Sequence, residues 1–183
     1  MTKNTASPSA RERILLTAHD LFYRHGIRAT GIDRVIAESS VTKVTFYRHF
    51  ASKHELILAF LEFRHQRWMD WFDAALQRHG DGLDALAVSL QEWLSADDFR
   101  GCAFLNSVTE LAEELPEVLE ITRRHKQQMV ERIARLLPAS RNRMRDAHSL
   151  ALLVDGVIVH AQFEDDLKIV MRDFKRMVRV LSG

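Results

Sequence analysis

Hydrophobic positions recur at three- and four-residue spacing along nearly the whole chain, with no stretch of strict alternation, which predicts helices throughout and no strands. Ile14, Ala18, Leu21 and Phe22 give a first helix its inner face. It opens at Ser7-Pro8 or at Ser9 with Glu12 as a capping box, and closes at Gly26, the residue type suited to a left-handed cap. A short helix follows, capped by Thr30 with Asp33 as its reciprocal partner, carrying Val35, Ile36 and Ala37 and ending at Ser39-Ser40. Thr42 caps the next, residues 43–50, where Phe46 and Phe50 share one face. Ser52 and Glu55 form a further capping box, opening a helix that runs to Arg78 before Gly80. At 1.5 Å per residue, such a helix is a rod of roughly 40 Å.

Beyond Gly80-Asp81-Gly82, residues 83–94 place Leu86, Leu90, Trp93 and Leu94 on one face, and 95–101 form a loop. Residues 102–115 are helical, with Phe104, Leu105, Val108, Leu111 and Ala112, until Pro116 interrupts. Residues 117–137 carry Val118, Ile121, His125, Met129, Ile133 and Leu136 and stop at Pro138. The arginine-rich segment 140–146 is a connection or a helix start. Residues 147–160 are apolar on most sides, and Asp165-Asp166 open a last helix with Ile169, Val170, Phe174, Met177, Val178 and Leu181. The expected fold is all-α, about nine helices. An N-terminal three-helix helix-turn-helix DNA-binding domain, residues 1–51, precedes a helical ligand-binding and dimerisation domain, residues 52–183. Residues 1–6 have the composition of a disordered terminus.

The helix at 43–50 directs two phenylalanines inward and leaves Lys43, Thr45, Tyr47, Arg48 and His49 on its other faces, a dense set of donors. A helix that reads DNA needs such groups near its N-terminus to reach phosphates and base edges. Lys53, at the start of the following helix, stands at another phosphate-binding place. The run Val41-Thr42-Lys43-Val44-Thr45-Phe46-Tyr47-Arg48-His49-Phe50, followed by Ser52-Lys53-His54-Glu55-Leu56, resembles the DNA-binding signature of TetR-family transcriptional regulators. Gly26, Thr30, Ile32, Ile36 and Ala37 also fit that family's pattern, and the resemblance covers residues 10–60. It implies DNA contacts from Thr45, Tyr47, His49 and Lys53. With the residues around them, the full expected set is Thr30, Thr42, Lys43, Val44, Thr45, Tyr47, Arg48, His49 and Lys53. Two positions depart from the family. Serine stands at Ser40 where glycine is usual, at little cost if that turn needs no positive φ. Valine stands at Val44 where glycine is frequent, offering methyl groups to DNA.

Charge reinforces this reading. The formal net charge of +1 conceals nine Lys/Arg against five acids in residues 1–60, a surplus of +4, so the remainder carries −3. A basic reader on an acidic body suits a phosphate-facing module. Cys102 is the only cysteine, which excludes an intramolecular disulfide framework and a zinc cluster. No apolar run of membrane-spanning length occurs, and the polar N-terminus lacks the apolar core of a signal peptide, so a cytoplasmic protein is expected. No HExxH motif occurs, and the histidines are scattered; His19 and His25 read as surface residues. No catalytic residue, metal site or cofactor is expected.

In the body, aromatic residues exceed the needs of a compact bundle, and pockets between helices are lined this way. Trp68, Phe72, Trp93, Cys102, Phe104, Asn106, Thr109, His125, Met129 and Asp155 form the expected ligand-binding set. Asp155 interrupts the apolar run LLVDGVIV and needs a partner: an arginine or histidine across a dimer, a structural pair, or a cationic ligand. Cys102, after Gly101 at a helix start, reads as a small buried residue or as a redox or electrophile sensor. The last two helices carry surplus apolar surface, with Ala151, Gly156 and Ala161 permitting close approach. Leu153, Val157, His160, Ile169, Phe174 and Met177 are the expected homodimer interface. The function expected is a homodimeric regulator, a repressor released from palindromic or near-palindromic operator DNA by a small hydrophobic or aromatic effector, with no membrane partner. The rival is an all-α enzyme or hydrophobic-ligand carrier whose N-terminal helices dock a protein.

Overall fold

The computed structural model describes residues 7–80 and 82–182; the expected disorder of residues 1–6 and the turn position Asp81 lie outside them. The described residues form nine helices and no strand: α1 (Ala10–His25), α2 (Ile32–Glu38), α3 (Lys43–His49), α4 (Lys53–His79), α5 (Leu83–Leu94), α6 (Ala103–Leu111), α7 (Glu117–Arg135), α8 (Arg143–His160) and α9 (Leu167–Ser182). The arginine-rich segment is therefore a helix start. The sixth helix stops at Leu111 rather than 115, because the N–H groups of Glu114 and Leu115 both turn back to the Leu111 carbonyl ahead of Pro116.

Local chemistry sets the helix ends. Ser9 accepts the Glu12 N–H while the Glu12 carboxylate accepts the Ser9 N–H at 2.7 Å, a complete capping box. Gly26 ends α1 at φ 86° and donates to the Phe22 carbonyl. The expected Thr30 cap is absent: Gly31 is the N-cap of α2, without a side-chain bond. Thr30 is instead fully buried, and its hydroxyl donates to the Gly26 carbonyl at 2.8 Å. The Gly26 carbonyl, past the end of α1, needs a donor, and that need outweighs the capping preference. Ser40 adopts φ 53°, so this turn does demand a positive φ, contrary to the expectation of little cost. Folding the Ser40 and Val41 N–H groups back onto the Ala37 and Ile36 carbonyls forces it there. Thr42 caps α3 by accepting the Thr45 N–H. Ser52 caps α4, but the Glu55 carboxylate accepts the N–H of Ala51, one residue earlier than a capping box requires.

α1 packs on α2, α3 and α4; α4 continues to α5, α6 and α7; α7 packs on α6 and α8, and α9 closes on α8 and α5. Ile14, Leu21, Phe22, Val35, Phe46 and Phe50 form the small N-terminal core, which Leu56, Ile57 and Phe60 of α4 complete. The second part of α4 buries Trp68, Met69, Phe72 and Leu76 in the body. One helix thus supplies core residues at both ends of the molecule.

Candidate nucleic-acid interface and helical body

Phe46 and Phe50 are fully buried and fix the rotation of α3. Arg11 of α1 lies 5.0 Å over the Phe50 ring, and Phe46 meets the Tyr47 ring edge-on at 5.2 Å, which holds that ring while leaving it 42% exposed. Thr42, Lys43, Val44, Tyr47 and Arg48 are exposed, and Thr45 and His49 half-buried beside them. Val44 presents its methyl groups to solvent at 78% exposure. The Thr42 and Thr45 hydroxyls share a hydrogen bond of 2.9 Å. Among the described residues no carboxylate pairs with Lys43 or Arg48. The result is a donor-rich, cationic face held by a rigid core, the requirement for phosphate and base-edge contact.

Thr30 does not belong to that face, since its side chain is buried and its hydroxyl engaged. Lys53 is turned inward: its ammonium donates to the Ile27 carbonyl at 2.7 Å, and burial pulls its pKa down while Glu110 pulls it up. It closes a joint between the reader and the body. The Glu110 carboxylate of α6 accepts the N–H groups of Ile27 and Arg28 at 3.0 and 2.9 Å. Arg28 returns a bond to the Glu110 carbonyl at 2.8 Å and pairs with Glu114.

The aromatic residues of the body are brought together, but as a filled core. Phe104 stacks on His125 with centroids 3.7 Å apart, and Trp68 stacks on Phe72 and meets Trp93 edge-on. The cavity lined by Arg64, Trp68, Trp93, Cys102, Phe104, His125 and Met129 measures only about 10 Å³. Trp68, Trp93, Cys102, Phe104, His125 and Met129 of the expected set line it, and Phe72, Asn106, Thr109 and Asp155 do not; ring stacking fills the space between them. Asp155 pairs with Lys126 of α7 at 2.5 Å, which makes it a structural pair within one chain. Desolvation lowers the Lys126 pKa, but Cys102, whose Sγ lies 3.6 Å away, and Asp155 carry it above its ordinary value. Cys102 is the buried N-cap of α6. Asn106 donates to the Arg100 carbonyl and lines a separate cleft with Tyr23 and Glu110, while Thr109 is exposed and bonds the Leu105 carbonyl. Neither meets the aromatic cluster.

Periodicity did not reveal the polar members of this interior. His19, expected at the surface, is 5% exposed: its Nδ1 bonds Asp20 and its Nε2 faces the Arg64 guanidinium at 3.3 Å. His65 and His125 face each other Nδ1 to Nδ1 at 3.1 Å, one ring donating to the other, which as the acceptor is neutral. Burial, then the charges of Lys126, His65 and Arg64, pushes His125 down to about 2. Burial also lowers His19 and His65. Leu61, Arg64, His65, Trp68 and Phe72 follow helical spacing on one face of α4, and that register was the available signal.

At the far end, Leu153, Val157, His160, Ile169, Phe174 and Met177 all line one apolar groove between α8 and α9, about 390 Å³ in volume. Leu152, Phe163, Ile169, Met177 and Val180 are exposed on or beside it. Phe174 and Val157 are buried within their own chain, at 2% and 8% exposure, so they are core as much as surface.

A donor-bearing helix on a three-helix support, joined by a shared helix to an all-α body, defines a DNA-binding transcriptional regulator of the helix-turn-helix class. The family model for bacterial regulatory proteins of the tetR family matches residues 14–60. The crystal structure of SCO4454, a TetR-family transcriptional regulator from Streptomyces coelicolor, is 33% identical with a TM-score of 0.82, covering 96% of this chain and 89% of that one. The chain belongs to the TetR family of transcriptional regulators. A curated relative, an uncharacterized HTH-type transcriptional regulator of Lactococcus lactis, is 22% identical over 91% of this chain and 90% of its own length. The fold is also that of the multidrug binding protein EbrR complexed with malachite green, at 19% identity and a TM-score of 0.75, covering 96% of this chain and 99% of that one. No described helix is long and apolar enough to cross a membrane.

Proposed function

We propose that this protein is a homodimeric, ligand-responsive repressor that grips a near-palindromic operator through two copies of α3. The observation that carries the reading is the pairing of two unlike surfaces at opposite ends of one chain. One is the exposed, cationic face of α3; the other is the apolar groove of α8 and α9. A second copy on that groove buries its surplus apolar surface and sets two readers a fixed distance apart, to meet half-sites one helical turn or a multiple of it apart. Contacts come from Lys43, Val44, Thr45, Tyr47, Arg48 and His49. The aromatic malachite green held by EbrR, a relative of the same fold, supports an aromatic or hydrophobic effector.

The test is selection of binding sites from a random duplex pool. The reading expects an inverted repeat whose half-sites are separated by whole helical turns. Enrichment of an unrepeated site, or of no site, overturns it.

A further inference from the structure

A second cleft opens beside the filled aromatic core, between α1, α4 and the α5–α6 loop. It measures about 260 Å³ and is lined by Tyr23, Arg64, Arg67, Trp68, Trp71, Glu92, Trp93, Ala96 and Asp98. Arg64, Trp68 and Trp93 also line the core cavity, so the cleft lies against the wall of the aromatic cluster.

One of its groups is a buried guanidinium without a carboxylate partner. Arg64 is only 9% exposed, yet among the described residues no carboxylate pairs with it. Its guanidinium lies 4.1 Å over the Tyr23 ring and faces the lone pair of neutral His19. Both are weak substitutes for an anion. The exposed Arg67 adds a second guanidinium at the mouth. Of the two acids on the rim, Glu92 is engaged by Arg78 and His79 at 2.7 and 2.8 Å, and Asp98 is exposed. Trp71 and Trp93, with ring centroids 6.2 Å apart, supply flat apolar walls.

We propose that this cleft binds a small aromatic carboxylate, its anion held by Arg64 and Arg67 and its ring lying against Trp71 and Trp93. The volume lies below the roughly 300–1,000 Å³ of drug-sized sites, which fits one or two rings. The inference deepens the ligand-responsive reading and rests on it for its regulatory consequence. Tyr23 belongs to α1, donates to the Gly101 carbonyl and accepts the Arg100 N–H at the entry to α6. An anion that draws Arg64 off the Tyr23 ring therefore loosens the contact between the reader's supporting helix and the body.

The experiment compares 2-naphthoate, the uncharged 2-naphthamide and cationic 2-naphthylmethylammonium by calorimetric titration of the full-length protein without DNA. The carboxylate is expected to bind at least about tenfold tighter than either of the others, the size of one charge-assisted hydrogen bond. Arg67→Gln, which removes a positive charge at the mouth, should lose several-fold for the carboxylate and little for the amide. Arg64→Gln should abolish the preference. If Arg64→Gln fails to fold by circular dichroism, the wild-type ratios and Arg67→Gln decide. Equal binding of acid and amide, preference for the cation, or no binding of naphthoate overturns the assignment. Naphthoate binding without any change in operator affinity leaves the site standing and contradicts its effector role. Release of the operator by a compound that does not compete with naphthoate keeps the ligand-responsive reading and removes this cleft from it.

Discussion

Ser40 holds φ 53°, a conformation that costs an L-residue about 1–2 kcal/mol. Glycine avoids that cost but loses more entropy on folding, roughly 0.5–1 kcal/mol, so Ser40→Gly is expected to stabilise the protein by up to about 1 kcal/mol. Urea denaturation measures it; a destabilised glycine variant would show that the side chain has a role of its own. The histidines give a second residue-scale prediction. His19, His65 and His125 are buried and held neutral, with pKa values below their ordinary one. The folded chain takes up these protons at lower pH than the unfolded chain, so the stability they contribute is complete above pH about 6.5 and lost as the pH falls. The melting temperature should therefore drop between pH 7 and 5, and His125→Phe should flatten the drop. A pH-independent melting temperature would show that the rings are not held neutral. Thr30 marks where reading single residues failed: a capping rule looks forward along the chain, and the carbonyl that Thr30 serves lies four residues back, just past the end of α1.

At the scale of elements, helix positions were legible because apolar spacing and caps are local properties. Ser9, Thr42 and Ser52 mark the starts of α1, α3 and α4 as their sequence contexts require. What was not legible is what joins elements. Glu110 meets Ile27 and Arg28 across more than eighty residues of chain, which only the tertiary fold can bring about. Arg64 and His65 were passed over because a search for an apolar stripe skips the polar residues lying on it. The closed aromatic cluster was read as a pocket because composition gives the lining of a space and not its volume. Glu110→Ala is predicted to cost about 1–3 kcal/mol, since it removes an acceptor from two N–H groups at once. Amide hydrogen exchange should rise at Ile27 and Arg28 while α8 and α9 keep their protection. Uniform loss of protection would mean that this joint is not a local unit.

For the whole molecule, the proposed function requires the reader and the apolar groove together. Leu152 is 74% exposed, and a Cβ on Gly156 would meet nothing within 4 Å, so this face leaves room for a second copy. Leu152→Glu should give a folded monomer by sedimentation that has lost specific DNA binding; Phe174, buried in its own chain, is unsuited to that test. A dimeric Leu152→Glu would place the interface elsewhere. The account's central claim is that α3 is the surface that reads DNA. Its most direct test is the affinity for the selected operator measured against salt, in wild type and in Arg48→Ala. The account predicts a linear fall of log affinity with log salt, a slope smaller by about one in the variant, and random duplex bound at least about 10³-fold more weakly by the wild type. Identical slopes in the two proteins, with no preference for the operator over random duplex, would contradict it.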